Sequence, residues 1–462
     1  MVQPQHAAHP VAGVARHQLR VYRHRGLAVV ASVCISLLLA GFTVVGEKVR
    51  QWNSNMDVIE GVNNLLTDRP TERSTTTGEA APGDPFGGRA VDIAIIGSDS
   101  REGENASYSG DNPGSVLNDV NMIAHISADR TRVDVVAIPR DTLVSLPACT
   151  QADGTVSPEE SSAAINSAFG KGSNFDPTNT REGVACVIAA IEETTGILLD
   201  GFILVDFAGF AGMVDGLGGV DICIPEHLVS KNTHLDLEAG LHHLDGRTAL
   251  AYARTRKATA DGVAIDGSDL NRINRQQQLI GAVIHEVLAS GDLGSVPKLN
   301  RFATAVTESL TTSPELGSVQ ALAGLAYSLR NINLDRVSLM MAPVVSVPDG
   351  VHVRLAESAG ERGYSAQDVF DALAQDEPMP GTTAWKLANP EPEPEPDPDT
   401  DGDTDTDADG TSSGGQTTPP AVSGPPTIAT VTPEPEPDEG VVTGLNAPVT
   451  CEVSTWALDS SG

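Results

Sequence analysis

Five short polar clusters carry side chains able to hold a phosphate ester and a hard cation. Gly97-Ser98-Asp99-Ser100-Arg101 follows one apolar run, Asn118-Asp119 precedes another, and Pro139-Arg140-Asp141 ends a third. Arg254-Thr255-Arg256 closes the apolar stretch 249–253, and Asp269, Arg272, Arg275 and Gln276 crowd one later segment. Asp269, Arg272 and Gln276 stand at i, i+3 and i+7, which places them on one face of a helix. Guanidinium forks bind phosphate oxygens bidentately and keep their charge at any ordinary pH. Asp99 and Asp119 offer the hard oxygen ligands that Mg²⁺ takes, one or two carboxylates completed by substrate phosphate oxygens. Each cluster alone reads as a surface ion pair, worth little. The reading as a site rests on several of them falling where apolar elements end, since loops held on a scaffold are where sites collect.

The elements that must position these groups alternate in type. Residues 91–97, 120–127 and 132–139 are rich in Val and Ile and bounded by turn residues, so strands are expected there. Helical spacing marks 183–195, 268–289, 296–311 and 314–330. Strands are expected again over 202–207, 219–225 and 337–344, with a short helix ending near Met213. Interleaved strands and helices predict an α/β fold, a sheet covered by helices.

Charge is unevenly spread. The chain has 462 residues, with 29 Lys+Arg against 62 Asp+Glu, a net of −33. Such a balance argues against a nucleic-acid binder, which needs a basic footprint. The start is the exception: Arg16, Arg20, Arg23 and Arg25 have no acidic neighbour. A charge-free stretch follows over 27–46, long enough to span a bilayer core of about 30 Å. It exceeds the apolar core of a cleaved leader and lacks a good small-residue cleavage site. The positive-inside rule then predicts a single-pass plasma-membrane protein with residues 1–26 cytoplasmic and the body extracytoplasmic.

Beyond the anchor, 47–90 is polar and reads as a stalk, 91–290 carries the clusters, and 291–387 continues the same globule. Residues 388–442 are a Pro-, Asp- and Thr-rich linker that cannot bury enough apolar surface to order itself, followed by a tail over 443–462. Asp397, Asp399, Asp401 and Gly402 imitate the start of a calcium loop, but Ala408 stands where its closing Glu belongs, which favours a self-repelling spacer. Of five cysteines, Cys149, Cys186, Cys223 and Cys451 fall outside the membrane, where disulfides persist. Four cysteines allow three pairings; Cys149–Cys186, flanking a polar loop, is the preferred one.

Read together, IIGSDSR, LND, AIPRDTLVSLP, INSAFGKG, VDFAGFAGMVDGLGGVDICIPE, LDGRTALAYARTR and GSDLNRINRQQQ resemble, in order, the motifs of the LytR–CpsA–Psr family over about 91–290. The resemblance implies an α-β-α sandwich, a central mixed sheet between helical layers, with an apolar pocket for a prenyl tail. It implies a Mg²⁺-dependent phosphotransferase that moves a glycopolymer from a polyprenyl diphosphate carrier to peptidoglycan. By the same resemblance Asp99 and Asp119 are metal ligands, and Arg140, Arg254, Arg256, Arg272 and Gln276 clamp the pyrophosphate. Arg101 and Arg275 join the phosphate-binding set, and Asp141 and Asp269 the catalytic one. Leu117 stands where the family usually has Arg, and Ala164 where it usually has Lys. The former keeps a rival reading, a non-catalytic polyprenyl-phosphate-binding scaffold. Ile188, Phe202, Leu204, Phe207, Phe210 and Val214 are the expected pocket lining. A transcription factor is disfavoured, since 26 cytoplasmic residues cannot hold a DNA-binding domain.

Overall fold

The computed structural model describes residues 36, 43–71, 74, 76–99, 116–260, 262–264, 269–288, 296–389 and 441–442. Eight of its strands form one mixed sheet. In chain order they are β1 (Asp57–Val58), β2 (Val91–Ser98), β3 (Asn118–Ile126), β4 (Val133–Ala137), β5 (Gly201–Val205), β6 (Leu310–Thr312), β7 (Val337–Met341) and β8 (Val441–Val442). Their order across the sheet is β1-β6-β5-β2-β3-β4-β7-β8. β2 runs parallel to β5 and antiparallel to β3, and β4 runs parallel to β7. The helices that matter here are α1 (43–55), α2 (Thr180–Thr195), α3 (Phe207–Leu217), α4 (Gly246–Arg254), α5 (Asp269–Leu288), α6 (Val296–Ser309) and α7 (Ala366–Ala374).

Alternation along the strands divides the core between two faces. Ala94, Ile96, Ile123, Val136, Phe202 and Leu204 pack with α2 and α7 on one face. Met122, Val135, Ala137 and Leu339 pack with Ile273 of α5 on the other, joined by Ile95. A separate cluster, including Val214, Ile222, Leu244, Tyr252 and Leu279, ties α3, α4 and α5 to the hairpin Val220–Ile224/Gly240–Leu244. Helix starts are fixed by side-chain caps: Asp206 accepts from the Gly209 amide at 2.7 Å and Asp245 from the Thr248 amide at 2.8 Å.

Several expectations shift. The segment expected as a stalk is folded onto the domain: β1 pairs with β6, and Arg69 of the same segment grips Glu192 of α2. The expected helix 296–311 ends at Ser309, and Leu310–Thr312 becomes a strand paired with β5. Residues 314–330 divide into a short turn of helix, Pro314–Leu316, and the helix Val319–Ser328. Cys149 and Cys186 are joined by a disulfide, and Cys223 is disulfide-bonded as well. Most of the expected membrane span lies outside the described residues; among those described, no helix is long and apolar enough to cross a membrane.

Candidate active site

A cavity of about 410 Å³ opens between the sheet face of Ile95 and Met122 and the helices α3, α4 and α5. Its two ends differ chemically. One end is apolar, formed by Phe210 and Met213 of α3, Leu250 of α4, and Leu279, Ile280, Val283 and Ile284 of α5. The other end gathers Asp119, Arg140, Arg254, Arg256, Arg272 and Gln276. In the lining, four arginines face only two carboxylates, Asp119 and Asp206, so the polar end is built for an anion. On α5, Arg272, Gln276, Leu279, Ile280, Val283 and Ile284 form one stripe of near-3.6 spacing. The helix itself thus grades from charged to apolar along the cavity.

A break in the sheet ladder aims Asp119. Gly97 pairs with Val120 and Ser98 with Asn118, leaving Asp119 without an opposite residue, a β-bulge. A side chain at position 97 would meet Val120 Cβ at 2.7 Å, so the close approach beside the bulge requires glycine. Asn118 anchors the bulge. It is fully buried, its side-chain amide donates to the Ile165 carbonyl at 3.1 Å and to Asn121, and its oxygen accepts from the Phe169 amide at 3.0 Å. Asn121 and this anchoring role of Asn118 were missed in the sequence; polar residues in an otherwise apolar strand were the available signal.

Asp119 is encircled by cations. Arg140 Nη1 donates to Asp119 Oδ1 at 2.6 Å, and Arg272 Nη1 lies 3.9 Å from Oδ2. Burial opposes ionisation of Asp119, but the charges of Arg272, Arg140 and Arg256 and the Arg140 hydrogen bond outweigh it and hold the carboxyl below its usual range. Asp141 continues the chain of charge, 3.4 Å from Arg140 Nε and 3.9 Å from Arg256 Nη2. Arg254 lies over the Phe207 ring, 4.2 Å from its centre, an arrangement that orients a cation without neutralising it. Gln276 Nε2 is 3.5 Å from the Ala253 carbonyl.

The other expected site residues among those described do not line the cavity. Asp99 is buried beside Ser98, its amide donating to the Leu117 carbonyl at 3.1 Å and its carboxylate accepting from the Leu117 amide at 2.8 Å. Arg275, one residue off the α5 stripe, does not line the cavity. It is buried, donates to the Thr255 carbonyl, and so fixes the turn that carries Arg254 and Arg256. Burial pulls the Arg275 pKa down, and burial likewise pushes the Tyr252 phenol up to about 12. Arg101 and the side chain of Asp269 lie outside the described residues; Asp269 begins α5. Of the expected apolar lining, Phe207 and Phe210 are in place. Ile188, Phe202 and Leu204 face the opposite side of the sheet, and Val214 belongs to the α3–α5 cluster. Strand alternation gives the reason: Val205, one residue beyond Leu204, is the one turned to the cavity.

Among the described residues no group of three or more His, Cys, Asp or Glu could hold a metal ion. A Mg²⁺ completed by substrate oxygens needs only one or two carboxylates. Asp99 and Asp119, an ionised group among them, follow and precede neighbouring rungs of the β2–β3 ladder and fit that requirement.

Residues 62–362 match the model of the LytR_cpsA_psr family, and the chain belongs to this family. It is 26% identical over 382 residues to the cell wall biosynthesis protein LcpA of Corynebacterium glutamicum, covering 76% of this chain and 68% of that one. It is 24% identical over 236 residues to the polyisoprenyl-teichoic acid–peptidoglycan teichoic acid transferase TagV of Bacillus subtilis, covering 50% of this chain and 54% of that relative. Only about half of TagV's length is therefore spanned. Among solved structures, a LytR-Csp2A-Psr enzyme from Actinomyces oris aligns over 68% of this chain and 98% of its own, at 20% identity and a TM-score of 0.44.

Proposed function

We propose that this protein is a membrane-anchored, extracytoplasmic transferase that moves a glycopolymer from a polyprenyl diphosphate carrier to peptidoglycan. The observation that carries the reading is the two-ended cavity, apolar along α3 and α5 and arginine-lined at the strand ends. A lipid diphosphate has the same polarity, a hydrocarbon chain joined to a dense anion. Relatives named as teichoic acid transferases and cell wall biosynthesis proteins support transfer to the wall.

In this reading the prenyl chain lies against Met122, Phe210, Met213 and Ile280, and Arg140, Arg254, Arg256, Arg272 and Gln276 hold the diphosphate. The acceptor hydroxyl oxygen attacks the sugar-proximal phosphorus. The bond from that phosphorus to the bridging oxygen breaks, and polyprenyl phosphate leaves with the electron pair. A sugar–phosphate–sugar diester forms, and the hydroxyl proton passes to a carboxylate. Asp99, Asp119 and Asp141 are the candidates, and the arginine neighbours of Asp119 lower its proton affinity. The arginines supply positioning and charge neutralisation, the main needs of phosphoryl transfer. Asp99 and Asp119 would hold Mg²⁺, which supplies further neutralisation of phosphate oxygens when bound.

The test is full-length protein with lipid-linked oligosaccharide, Mg²⁺ and peptidoglycan fragments. Release of polyprenyl phosphate together with a new phosphodiester is expected, and chelation should abolish both. Carrier binding with neither product would instead favour a scaffold, the reading that Leu117 keeps open.

A further inference from the structure

α3 and α5 both run along the cavity from its arginine end to its apolar end, and this direction fixes which end faces the membrane. α3 and α6 pack antiparallel and very closely: a side chain at Gly216 would meet Ala305 Cβ at 2.4 Å, and one at Gly209 the Ser309 carbonyl at 2.6 Å. The N-terminal end of α6 therefore lies beside the C-terminal end of α3, away from Phe207 and Arg254. α1 runs parallel to α6, with Trp52 Nε1 donating to Thr304 Oγ1 at 3.0 Å and Asn55 Nδ2 to Glu308 Oε1 at 3.3 Å. Asn53 locks the same helix to the start of Val319–Ser328, its side chain accepting from the Val319 amide at 2.8 Å and donating to Gln320 at 3.0 Å. The N-terminal ends of α1 and α6 thus share one pole. Along α3 and α5 the cavity runs from its arginine end toward its apolar end in this same direction.

That pole has the surface of a membrane contact. Val44, Val45 and Leu299 are about half to two-thirds exposed there, at 64%, 61% and 48%. Lys48, Arg50, Lys298 and Arg301 accompany them, interspersed with Glu47 and with Asp215 and Glu286 near the ends of α3 and α5. The charge-free stretch 27–46 runs directly into α1.

We infer that the pole carrying Val44, Val45 and Leu299 docks on the outer surface of an anionic bilayer, held there by the Trp52, Asn53 and Asn55 contacts. The inference rests on the proposed anchor but does not require catalysis. Apolar residues enter the interface while lysine and arginine meet anionic headgroups. The apolar end of the cavity then faces the leaflet. Asn55, level with the α3 start through Glu308 and Ser309, is ten residues from Val45, which sets the arginines ~15 Å above the bilayer at 1.5 Å per residue. A lipid carrier can therefore be engaged with its distal chain still in the membrane.

The test uses full-length protein in vesicles, in a Cys34→Ser background. Leu299→Cys and, as a reference near Asp141, Val345→Cys are each labelled with an environment-sensitive dye; both native residues are exposed. The expected result is a blue shift and quenching by spin-labelled lipid at 299 alone, stronger when phosphatidylglycerol is present. Equal water exposure at the two positions, equal quenching at both, or indifference to anionic lipid would overturn the inference. Inactive protein that still shows quenching at 299 would count against the transferase and leave the docking surface standing.

Discussion

Arg140 Nη1 donates to Asp119 Oδ1 at 2.6 Å, joining the end of β4 to the bulge at the start of β3. This contact ties the anion-binding end to the sheet. Arg140→Ala removes a phosphate donor and releases Asp119 from its nearest cation. Turnover should fall by about 10²–10³-fold, the scale for deleting one charge-stabilising donor. The far-ultraviolet circular dichroism should stay native, since Asp119 keeps Arg272 nearby. Product assays run beside the spectra check both statements.

Phe207 acts on Arg254 through its ring face. Phe207→Leu keeps an apolar wall but loses the cation contact, worth about 0.5–2 kcal/mol. A weaker carrier interaction, seen as a raised KM with kcat changed less, is expected. An unchanged KM would show that Arg254 is held by its other neighbours.

Met213→Trp tests the apolar end. The cavity of about 410 Å³ has room for the added ring without forcing the core apart. Long prenyl carriers should then bind poorly, while a short-chain diphosphate should still protect Arg140 and Arg272 from modification by a guanidine reagent.

His125 couples stability to pH on the far side of the sheet. It is fully buried between Asp92, 2.9 Å from Nδ1, and Asp376, 3.0 Å from Nε2. Burial and Arg132 oppose its charge, but the two carboxylates prevail and raise its pKa to about 9. A folded pKa above the unfolded value of about 6.5 means stability fully present below that value and lost as pH rises through about 9. The contribution is roughly 3 kcal/mol by linkage. The thermal midpoint should drop between pH 7 and pH 10, and His125→Gln should flatten that drop.

The Cys149–Cys186 bridge closes a loop of 37 residues' separation between the strand region and α2. Chain entropy assigns such a loop about 4 kcal/mol. Replacing both cysteines by serine should lower the urea midpoint, measured without reductant so that the disulfide of Cys223 stays closed in both proteins.

Much of the polar end could be read from residue types alone, because Arg140, Arg254, Arg256 and Asp119 follow or precede apolar runs, where sites collect. Convergence could not be read, since it depends on parallel pairing of β2 with β5 and on α5 crossing the same face. The lining was half legible. Phe207 and Phe210 sit on a helix whose buried face is evident, but Leu204 and Val205 differ only in strand parity, and one residue of register decides between them. Ile280, Val283 and Ile284 continue the spacing of Arg272 and Gln276 and were open to the same periodicity. β1 was hidden because two residues in a polar segment give no pattern; it forms only by pairing with β6.

That last pairing has a consequence for how the chain is made. Asp57 meets Thr311, 254 positions later, and the opposite border of the sheet belongs to Val441 and Val442. Sequence-distant closures of this kind are slow, because the connecting chain must be brought together before any contact rewards it. A polypeptide delivered N-terminus first must wait with one margin of its sheet unfinished, and that open border is where assistance during biogenesis would matter most.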